Sequence, residues 1–443
     1  MTRRAVPAMG SAGELRADVC VVGAGPAGLA LTLMLLRSGL RVALLERSTA
    51  LRRDFHGEIL QPGGQRILDQ LGVLDAARAR GACALDGFQV LQDERLLLDV
   101  DYRRLDAPYD NLLALPQVHL LAELTEACRA LPGFLHLEGH RVKGLVEEDG
   151  RIAGVTAAGP GGRPVTVRAA VVAGADGRFS RTRTLAGIDS GRTEAFDQDV
   201  VWFSLPAPGR ATGYVRVHRV EGGALLVHDA HPERLRIGWT LPHRTWNKAA
   251  ARGIDPIRRE LAEALPHFAD LLHEHLRSLS DLTLLDVFAA QARTWTRDGF
   301  VLVGDSAHTH GPIGAQGINL ALQDAAAAHP VLLDAVREGD PSRERLSAYE
   351  ERRRPAAAAV HRMQRVQAKA LLGRGGPVTT RLRSRAAAVV GRTAIGGKIT
   401  RRIAYGTDPV QVRTDLFTAA PPAAPEPSPT ALDLPETPAT TRS

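Results

Sequence analysis

Residues 18–28 read DVCVVGAGPAG and continue directly into an apolar run that ends near residue 36. An apolar strand followed by the spacing Gly-x-Gly-x-x-Gly and then a helix is typical of a βαβ unit that binds a dinucleotide. Gly23 permits the tight turn, Gly25 lets a pyrophosphate approach the main chain, and Gly28 allows the helix to pack closely on the strand. The stretch therefore predicts a Rossmann-like start to the chain.

Glu46 stands at the end of the next apolar stretch, 18 residues after Gly28. A carboxylate at this place can accept hydrogen bonds from both ribose hydroxyls of an adenosine, and it would repel a 2′-phosphate. The βαβ unit is therefore predicted to hold FAD or NAD and not NADP.

The composition is that of a globular protein: of 443 residues, 44% are hydrophobic and 24% are charged. These values exclude a wholly disordered, collagen-like or coiled-coil chain. Three widely spaced cysteines offer neither a disulfide scaffold nor the spacing of a metal site, which is typical of the reducing cytoplasm. The apolar run 19–36 contains three glycines and a proline, so we expect a strand, turn and helix there and not a membrane span. A cytoplasmic protein without a metal is predicted.

The positive charge is local. The net charge is +7, yet residues 343–402 alone hold 14 Arg and 2 Lys against 3 Glu. Basicity confined to one segment does not argue for nucleic-acid binding. We read the segment as a solvated helical face or as a surface that attracts the phosphates of NAD(P)H. Association with an anionic membrane is the less favoured alternative.

Two further motifs follow apolar strands. Residues 174–180 read GADGRFS, and residues 304–308 read GDSAH, followed by PIGAQGIN at 312–319. Asp305 can accept a hydrogen bond from a ribityl hydroxyl, and the glycine-rich stretch opens a helix whose N-terminus suits the electron-rich edge of a reduced flavin.

The three motifs, in this order and at these separations, resemble those of the FAD-dependent aromatic-ring hydroxylases, the single-component flavoprotein monooxygenases with the p-hydroxybenzoate hydroxylase fold. The resemblance runs from about residue 18 to about residue 367. It implies an α/β fold: a Rossmann-like FAD-binding domain with an inserted mixed β-sheet substrate domain and C-terminal helices. The implied boundaries are 15–85, 115–190 and 290–360 for the FAD-binding domain, 86–114 and 191–289 for the substrate domain, 361–412 for the C-terminal helices and 413–443 for a disordered tail.

The resemblance also implies roles for individual residues. The cofactor-binding set comprises Gly23, Gly25, Pro26, Ala27, Gly28, Glu46, Arg47, Arg53, His56, Gln117, Asp176, Gly304, Asp305, Pro312, Gly314, Ala315, Gln316, Gly317, Ile318 and Asn319. The substrate set, aligned on two strands with the sequences LLVHDAH and RLRIGWTLP and on nearby aromatic positions, comprises Trp202, Tyr214, Val227, Asp229, Ile237 and Trp239. His308 and His310 are candidates for a catalytic base, although ordering of the loop is the favoured role for both.

The implied reaction is hydroxylation, or another oxygenation, of a fairly large apolar aromatic or polyketide-like molecule, with NAD(P)H and O₂ as cosubstrates. In this family oxygen is transferred from a flavin C4a-hydroperoxide. Two alternatives stay open: a flavin-dependent reductase of the geranylgeranyl-reductase type, and a non-catalytic protein that binds FAD and an aromatic ligand. A monomer or homodimer is expected.

Overall fold

The computed structural model describes residues 14–49, 58–92, 95–194, 198–372 and 394–418. Its strands are β1 (Glu14–Arg16), β2 (Val19–Val22), β3 (Val42–Glu46), β4 (Ile59–Leu60), β5 (Cys83–Leu85), β6 (Gly87–Gln92), β7 (Arg95–Asp101), β8 (Leu112–Ala114), β9 (Phe134–Glu138), β10 (Arg141–Glu148), β11 (Arg151–Ala158), β12 (Pro164–Arg168), β13 (Val171–Gly174), β14 (Arg192–Thr193), β15 (Gln198–Pro206), β16 (Tyr214–Val220), β17 (Gly223–Ala230), β18 (Arg234–Pro242), β19 (Thr283–Leu285), β20 (Ala289–Gln291), β21 (Thr296–Arg297), β22 (Phe300–Leu302) and β23 (His308–Thr309). Its helices are α1 (Pro26–Arg37), α2 (Pro62–Gln70), α3 (Leu74–Ala79), α4 (Gln117–Arg129), α5 (Arg181–Leu185), α6 (Trp246–Ala250), α7 (Ile254–Ala264), α8 (Ala269–His275), α9 (Gly317–Arg337), α10 (Arg343–Leu372) and α11 (Ala394–Tyr405).

A six-stranded sheet, in the order β21-β22-β13-β2-β3-β9, forms the centre of the half of the molecule that contains the βαβ unit. All neighbours pair in parallel except β21 and β22. Strands β2 and β13 are fully buried and apolar, as expected when helices cover both faces of a parallel sheet. Because the carboxyl ends of parallel strands meet at one edge, the three sequence motifs come together there.

A seven-stranded sheet, in the order β19-β15-β18-β17-β16-β6-β7, forms the second half. Side chains alternate between its two faces. One face packs on α7 and α8 through a core that includes Val201, Leu225, Ile257 and Leu272. The other face is turned toward a cavity shared with the six-stranded sheet. The predicted α/β fold class is confirmed. Among the described residues no helix is both long and apolar enough to cross a membrane.

The Arg-rich segment is in part helix α10, and several of its charges are used inside the protein. Arg353 is completely buried. Arg354 donates to the main-chain oxygens of Ala292 and Arg293 as well as to Glu350. The basic segment is therefore not only a solvated face. The sequence Gly-Arg-Gly-Gly-Pro at 373–377 predicts a break between two helices, and it lies outside the described part of the chain.

The predicted start of the disordered tail, at residue 413, is too early. Residues 414–416 form a short 3₁₀ helix, and the Phe417 ring packs 5.8 Å from the His329 ring and 5.6 Å from the Arg37 guanidinium. The Thr418 amide donates to the Arg37 main-chain oxygen over 2.7 Å. These contacts, together with the packing of Leu416 on the core, anchor a segment whose composition otherwise predicts disorder.

The burial of His329 is expected to make the stability of the folded protein sensitive to acid. His329 is fully buried on α9, and burial lowers its pKa from 6.5 to about 4. Between these two pH values the unfolded chain binds a proton that the folded chain does not, so stability is lost as the pH falls from 6.5 to 4. This group contributes roughly 3 kcal/mol over that range. The slope of the unfolding free energy against pH is proportional to the difference in bound protons between the unfolded and the folded chain. We expect His329→Asn to reduce that difference by about one proton between pH 6.5 and 4, as measured by urea denaturation at several pH values. The exposed His273→Asn is the control, and an unchanged slope in H329N would contradict this assignment.

Candidate active site

A cavity of about 1220 Å³ begins at the carboxyl edge of the six-stranded sheet and continues to the seven-stranded sheet. One end is lined by the turns after β2, β13 and β22. The other end is lined mainly by apolar side chains of β6, β7, β15, β16 and β17. Pockets for a single drug-sized ligand reach about 1,000 Å³. The volume is therefore enough for a dinucleotide cofactor and part of a second, apolar ligand.

The glycine-rich turn after β2 has no room for a Cβ at Gly23 or at Gly28. Gly23 has φ +108°, and a Cβ there would lie 2.4 Å from the Ala175 main-chain oxygen. A Cβ on Gly28 would lie 1.9 Å from the Gly23 main-chain oxygen. Helix α1 begins after Gly25 without a side-chain cap, so its first N–H groups are available to a ligand phosphate. These features fit the pyrophosphate of FAD.

Two carboxylates follow the strands beside this turn. Glu46 at the end of β3 accepts hydrogen bonds from the amides of Ala24 and Ser48, at 2.9 and 3.0 Å. Asp176 accepts from the Ser180 hydroxyl at 2.5 Å and from the Thr182 amide at 2.9 Å. Asp176 therefore holds the start of α5, in addition to lining the cavity.

Asp305 follows β22 and lines the cavity next to the loop that leads into α9. Burial raises the pKa of its carboxyl above the ordinary value. In the loop, Ala315 adopts φ +50°, a left-handed conformation that strains a residue with a Cβ. Asn319 fixes the loop: its side chain donates to the Ala315 oxygen at 2.8 Å and accepts from the Gln61 amide at 2.8 Å. The loop is thereby tied to the start of α2.

Most of the sequence-predicted cofactor residues lie together around this end of the cavity. Those that line it are Gly23, Gly25, Pro26, Ala27, Glu46, Arg47, Gln117, Asp176, Asp305, Pro312, Gly314, Ala315, Gln316, Gly317 and Ile318. Gly28, Gly304 and Asn319 lie behind the cavity wall and pack or hydrogen-bond in support of it. Arg53 and His56 lie outside the described residues.

His308 and His310 belong to a buried network behind the loop. His308 Nε2 lies 2.5 Å from Asp324 Oδ2, and Arg353 Nε donates to Asp324 Oδ1 over 2.8 Å. His310 lines the cavity, but its Nε2 lies 3.2 Å from the Ala357 oxygen and its Nδ1 lies 3.4 Å from His308 Nδ1. Since both nitrogens of each ring have protein partners, the contacts favour loop ordering over catalysis for both histidines.

The predicted substrate residues require a correction. Val227, Ile237 and Trp239 are buried in the core against α7 and α8, on the sheet face opposite the cavity. Asp229 accepts from the amides of Thr212 and Gly213. Neighbouring side chains of a strand point to opposite faces, so an alignment displaced by one residue selects the wrong face.

The cavity face instead carries the intervening positions. Leu226, His228 and Arg236 line the cavity, as does the predicted Trp202. Tyr214 is half-buried and does not line it, whereas the next residue along the strand does. The sequence of β18 could have shown which face is buried. Every second residue of the strand is apolar, namely Leu235, Ile237, Trp239 and Leu241, whereas the residues between them are not. Such a set is typical of a face packed on helices.

The comparisons with known proteins agree on the class. The sequence matches the family model of an FAD binding domain over residues 16–364. The chain therefore belongs to the FAD-dependent aromatic hydroxylase family, as predicted, and is an FAD-dependent monooxygenase. It is 51% identical over 406 residues to a 6-methylpretetramide 4-monooxygenase of Streptomyces rimosus, covering 92% of this chain and 96% of the relative. An anhydrotetracycline monooxygenase of the same species is 32% identical over 375 residues, covering 80% and 70% of the two chains.

Solved structures share the fold. A p-nitrophenol 4-monooxygenase of Pseudomonas putida superposes with a TM-score of 0.74 at 21% identity, covering 89% of this chain and all of the other. The anhydrotetracycline hydroxylase of Streptomyces rimosus superposes with a TM-score of 0.68 at 25% identity, covering 88% and 76%.

Proposed function

We propose that this chain hydroxylates an aromatic ring of a polycyclic, polyketide-derived phenol of the 6-methylpretetramide type, using FAD, NAD(P)H and O₂. The observation that carries the proposal is the single cavity that joins the cofactor turns to a wide apolar compartment. Relatives named for 6-methylpretetramide and anhydrotetracycline support the substrate class. FAD, when bound, supplies the redox and oxygen chemistry. The residues of this chain bind the flavin, orient the ring beside it and exclude water.

The proposed cofactor roles follow from the positions of the residues. Gly23, Gly25 and the N-terminus of α1 would bind the pyrophosphate, and Glu46 the adenosine ribose. Asp305 would bind the ribityl chain, and Pro312 to Ile318 would line the isoalloxazine ring. The sequence contains no second Gly-x-Gly-x-x-Gly unit, so NADPH or NADH is proposed to bind transiently in a groove near Asp176.

We retain the remaining sequence-based expectations as part of this proposal. They are the division into an FAD-binding domain of 15–85, 115–190 and 290–360 with a substrate domain of 86–114 and 191–289, a cytoplasmic location and a monomer or homodimer. Free thiols at all three cysteines support the location.

Glu46 gives a direct test of the cofactor geometry. Replacing it by glutamine removes a charged acceptor for the ribose hydroxyls, and such hydrogen bonds contribute about 1.5 to 3 kcal/mol, so FAD affinity should fall roughly 10- to 100-fold. The measurement is the dissociation constant from fluorescence titration of flavin-free protein. Glu147→Gln, on the exposed end of β10, should bind FAD as the unmodified protein does. If E46Q bound FAD with the same affinity as the unmodified protein, the proposed contact between Glu46 and the adenosine ribose would be contradicted.

The function itself is tested by following NADPH and O₂ together in the FAD-loaded protein. A polycyclic phenol such as 6-methylpretetramide should increase the consumption of both, and NADH should be compared in parallel. NADPH oxidation that stays unstimulated by every phenol of this class would contradict the proposed substrate.

A further inference from the structure

Among the described residues, an ion pair lies at the apolar end of the cavity. Arg236 of β18 donates from Nη1 to Glu58 Oε1 over 2.5 Å, and the two side chains are only 12% and 13% exposed. Both residues line the cavity, among the apolar side chains of Phe88, Leu98 and Leu226. The two partners are 178 residues apart in the chain and come from the two different halves of the molecule. The pair therefore marks a polar spot at the junction of the cofactor and substrate halves.

One oxygen of the Glu58 carboxylate makes no hydrogen bond within the described residues. Glu58 Oε2 is buried and has no hydrogen-bond partner in the described part of the chain. Burial raises the pKa of the Glu58 carboxyl, and the Arg236 guanidinium opposes that shift. The desolvation of two charges in an apolar site offsets much of the Coulomb attraction between them. A buried oxygen without a hydrogen bond destabilises the folded protein further. A buried polar atom without a partner is uncommon and calls for a specific explanation. Because Glu58 lines the cavity, a ligand in that cavity can supply the missing hydrogen bond.

Two neighbouring side chains, Trp202 and His228, determine which ligand groups can bind beside the Glu58–Arg236 pair. The Arg236 guanidinium lies 5.9 Å from the centre of the Trp202 ring, so one face of the pair borders an aromatic wall. His228 also lines the cavity. Its Nδ1 lies 2.9 Å from the Asp229 main-chain oxygen, and burial lowers its pKa to about 4, so its ring is neutral and Nε2 is left as an acceptor. The spot therefore offers a carboxylate oxygen, a guanidinium and a neutral acceptor within apolar walls.

We propose that Glu58 and Arg236 recognise a hydroxyl–carbonyl edge on the substrate, a phenol or enol beside a ring carbonyl, and thereby set which ring faces the flavin. The hydroxyl donates to Glu58 Oε2. The guanidinium, which has five N–H donors, donates to the carbonyl oxygen while keeping its bond to Oε1. No bond of the substrate is broken here, so the pair positions and selects the ligand. The inference deepens the proposed function and rests on it.

The test uses two probes of the same ring size: 1,8-dihydroxyanthraquinone, which has the hydroxyl–carbonyl edge, and 9,10-anthraquinone, which lacks it. Dissociation constants are measured on the FAD-loaded protein by quenching of tryptophan fluorescence. The unmodified protein should bind the dihydroxy probe roughly 10- to 100-fold more tightly, as expected for hydrogen bonds to charged groups. Glu58→Gln should lose most of this preference.

The double variant Glu58→Leu/Arg236→Leu removes both charges of the pair together, so neither remains buried without the other, and it should keep its fold and its FAD. It should bind the two probes equally. Leu226→Val is the matched control in the same wall, because loss of a methylene weakens both probes alike and leaves their ratio unchanged.

The possible failures are distinguishable. A double variant that keeps the full preference overturns the inference, and so does an unmodified protein that binds both probes with equal affinity; in either case the proposed function is untouched. If the unmodified protein binds neither probe and neither stimulates NADPH oxidation, the polycyclic substrate class fails together with the inference.

Discussion

Replacing Asp324 by asparagine is expected to lower the free energy of unfolding by about 3 to 5 kcal/mol, the usual cost of breaking a buried ion pair on one side. Asp324 is fully buried on α9 and accepts from Arg353, also fully buried, while it contacts His308 at 2.5 Å. Without the carboxylate, the Arg353 charge stays inside the protein without its nearest anion. The loss should appear in urea denaturation of the FAD-loaded protein.

The matched control is Arg345→Ala on the same helix as Arg353. Arg345 pairs with Glu338 and Asp340, but these pairs are solvent-accessible. Pairs of that kind contribute about 0 to 1 kcal/mol, so R345A should be nearly neutral. An Asp324→Asn variant as stable as R345A would show that the buried network does not hold α9 and α10 together.

Replacing Gly28 by alanine is expected to abolish normal FAD binding, with affinity reduced on the order of 100-fold or more, because a main-chain clash costs at least the roughly 3 kcal/mol of severe overpacking. The added Cβ would lie 1.9 Å from the Gly23 oxygen and 3.3 Å from the Ala175 Cβ. Helix α1 would have to move away from the turn whose amides face the pyrophosphate. The measurement is the ratio of flavin to protein absorbance after purification, followed by titration with FAD.

Gly397→Ala serves as the control for the Gly28 variant. Gly397 also lies in a helix, α11, and outside the backbone of that helix no atom of the described residues lies within 4 Å of its added Cβ. Alanine favours a helix over glycine by about 1 kcal/mol, so G397A should keep its FAD and gain slightly in stability. Full FAD content in Gly28→Ala would contradict the close packing of α1 on the sheet.

The βαβ start and the three cofactor motifs could be predicted because their signals are local. A strand, a glycine-rich turn and the following helix lie within a few residues of one another, and Gly23 and Gly28 each have a steric reason. Helix α4 (Gln117–Arg129), for example, begins directly after Pro116, and proline is common at the start of a helix. Their meeting at one sheet edge follows from parallel pairing, which the apolar strands already indicate.

The substrate face could not be fixed in the same way. Strand alternation gives two possible faces, and the alignment of β17 and β18 selected the one that packs on α7 and α8. The Glu58–Arg236 contact could not be predicted from the sequence for a different reason. It joins a residue just before β4 to one in β18, and no local pattern encodes a pairing over that distance.

The buried charges were also missed. Arg353 stands in a run of arginines, and such a run usually indicates a solvated helical face. Only the packing of α10 on α9 reveals that one member of the run points inward to Asp324. Likewise, Leu416, Phe417 and the Thr418 amide hold residues 413–418 in place, and composition alone does not distinguish such a segment from a disordered tail.

The measurement that tests the central proposal most directly is isotope incorporation. The FAD-loaded protein is incubated with 6-methylpretetramide, NADPH and ¹⁸O₂ in ordinary water, and the product is analysed by mass spectrometry. A monooxygenase of this substrate class should place one ¹⁸O atom on an aromatic ring and consume one NADPH for each product. Oxidation of NADPH that yields only reduced oxygen species, or a product whose new oxygen comes from water, would contradict it.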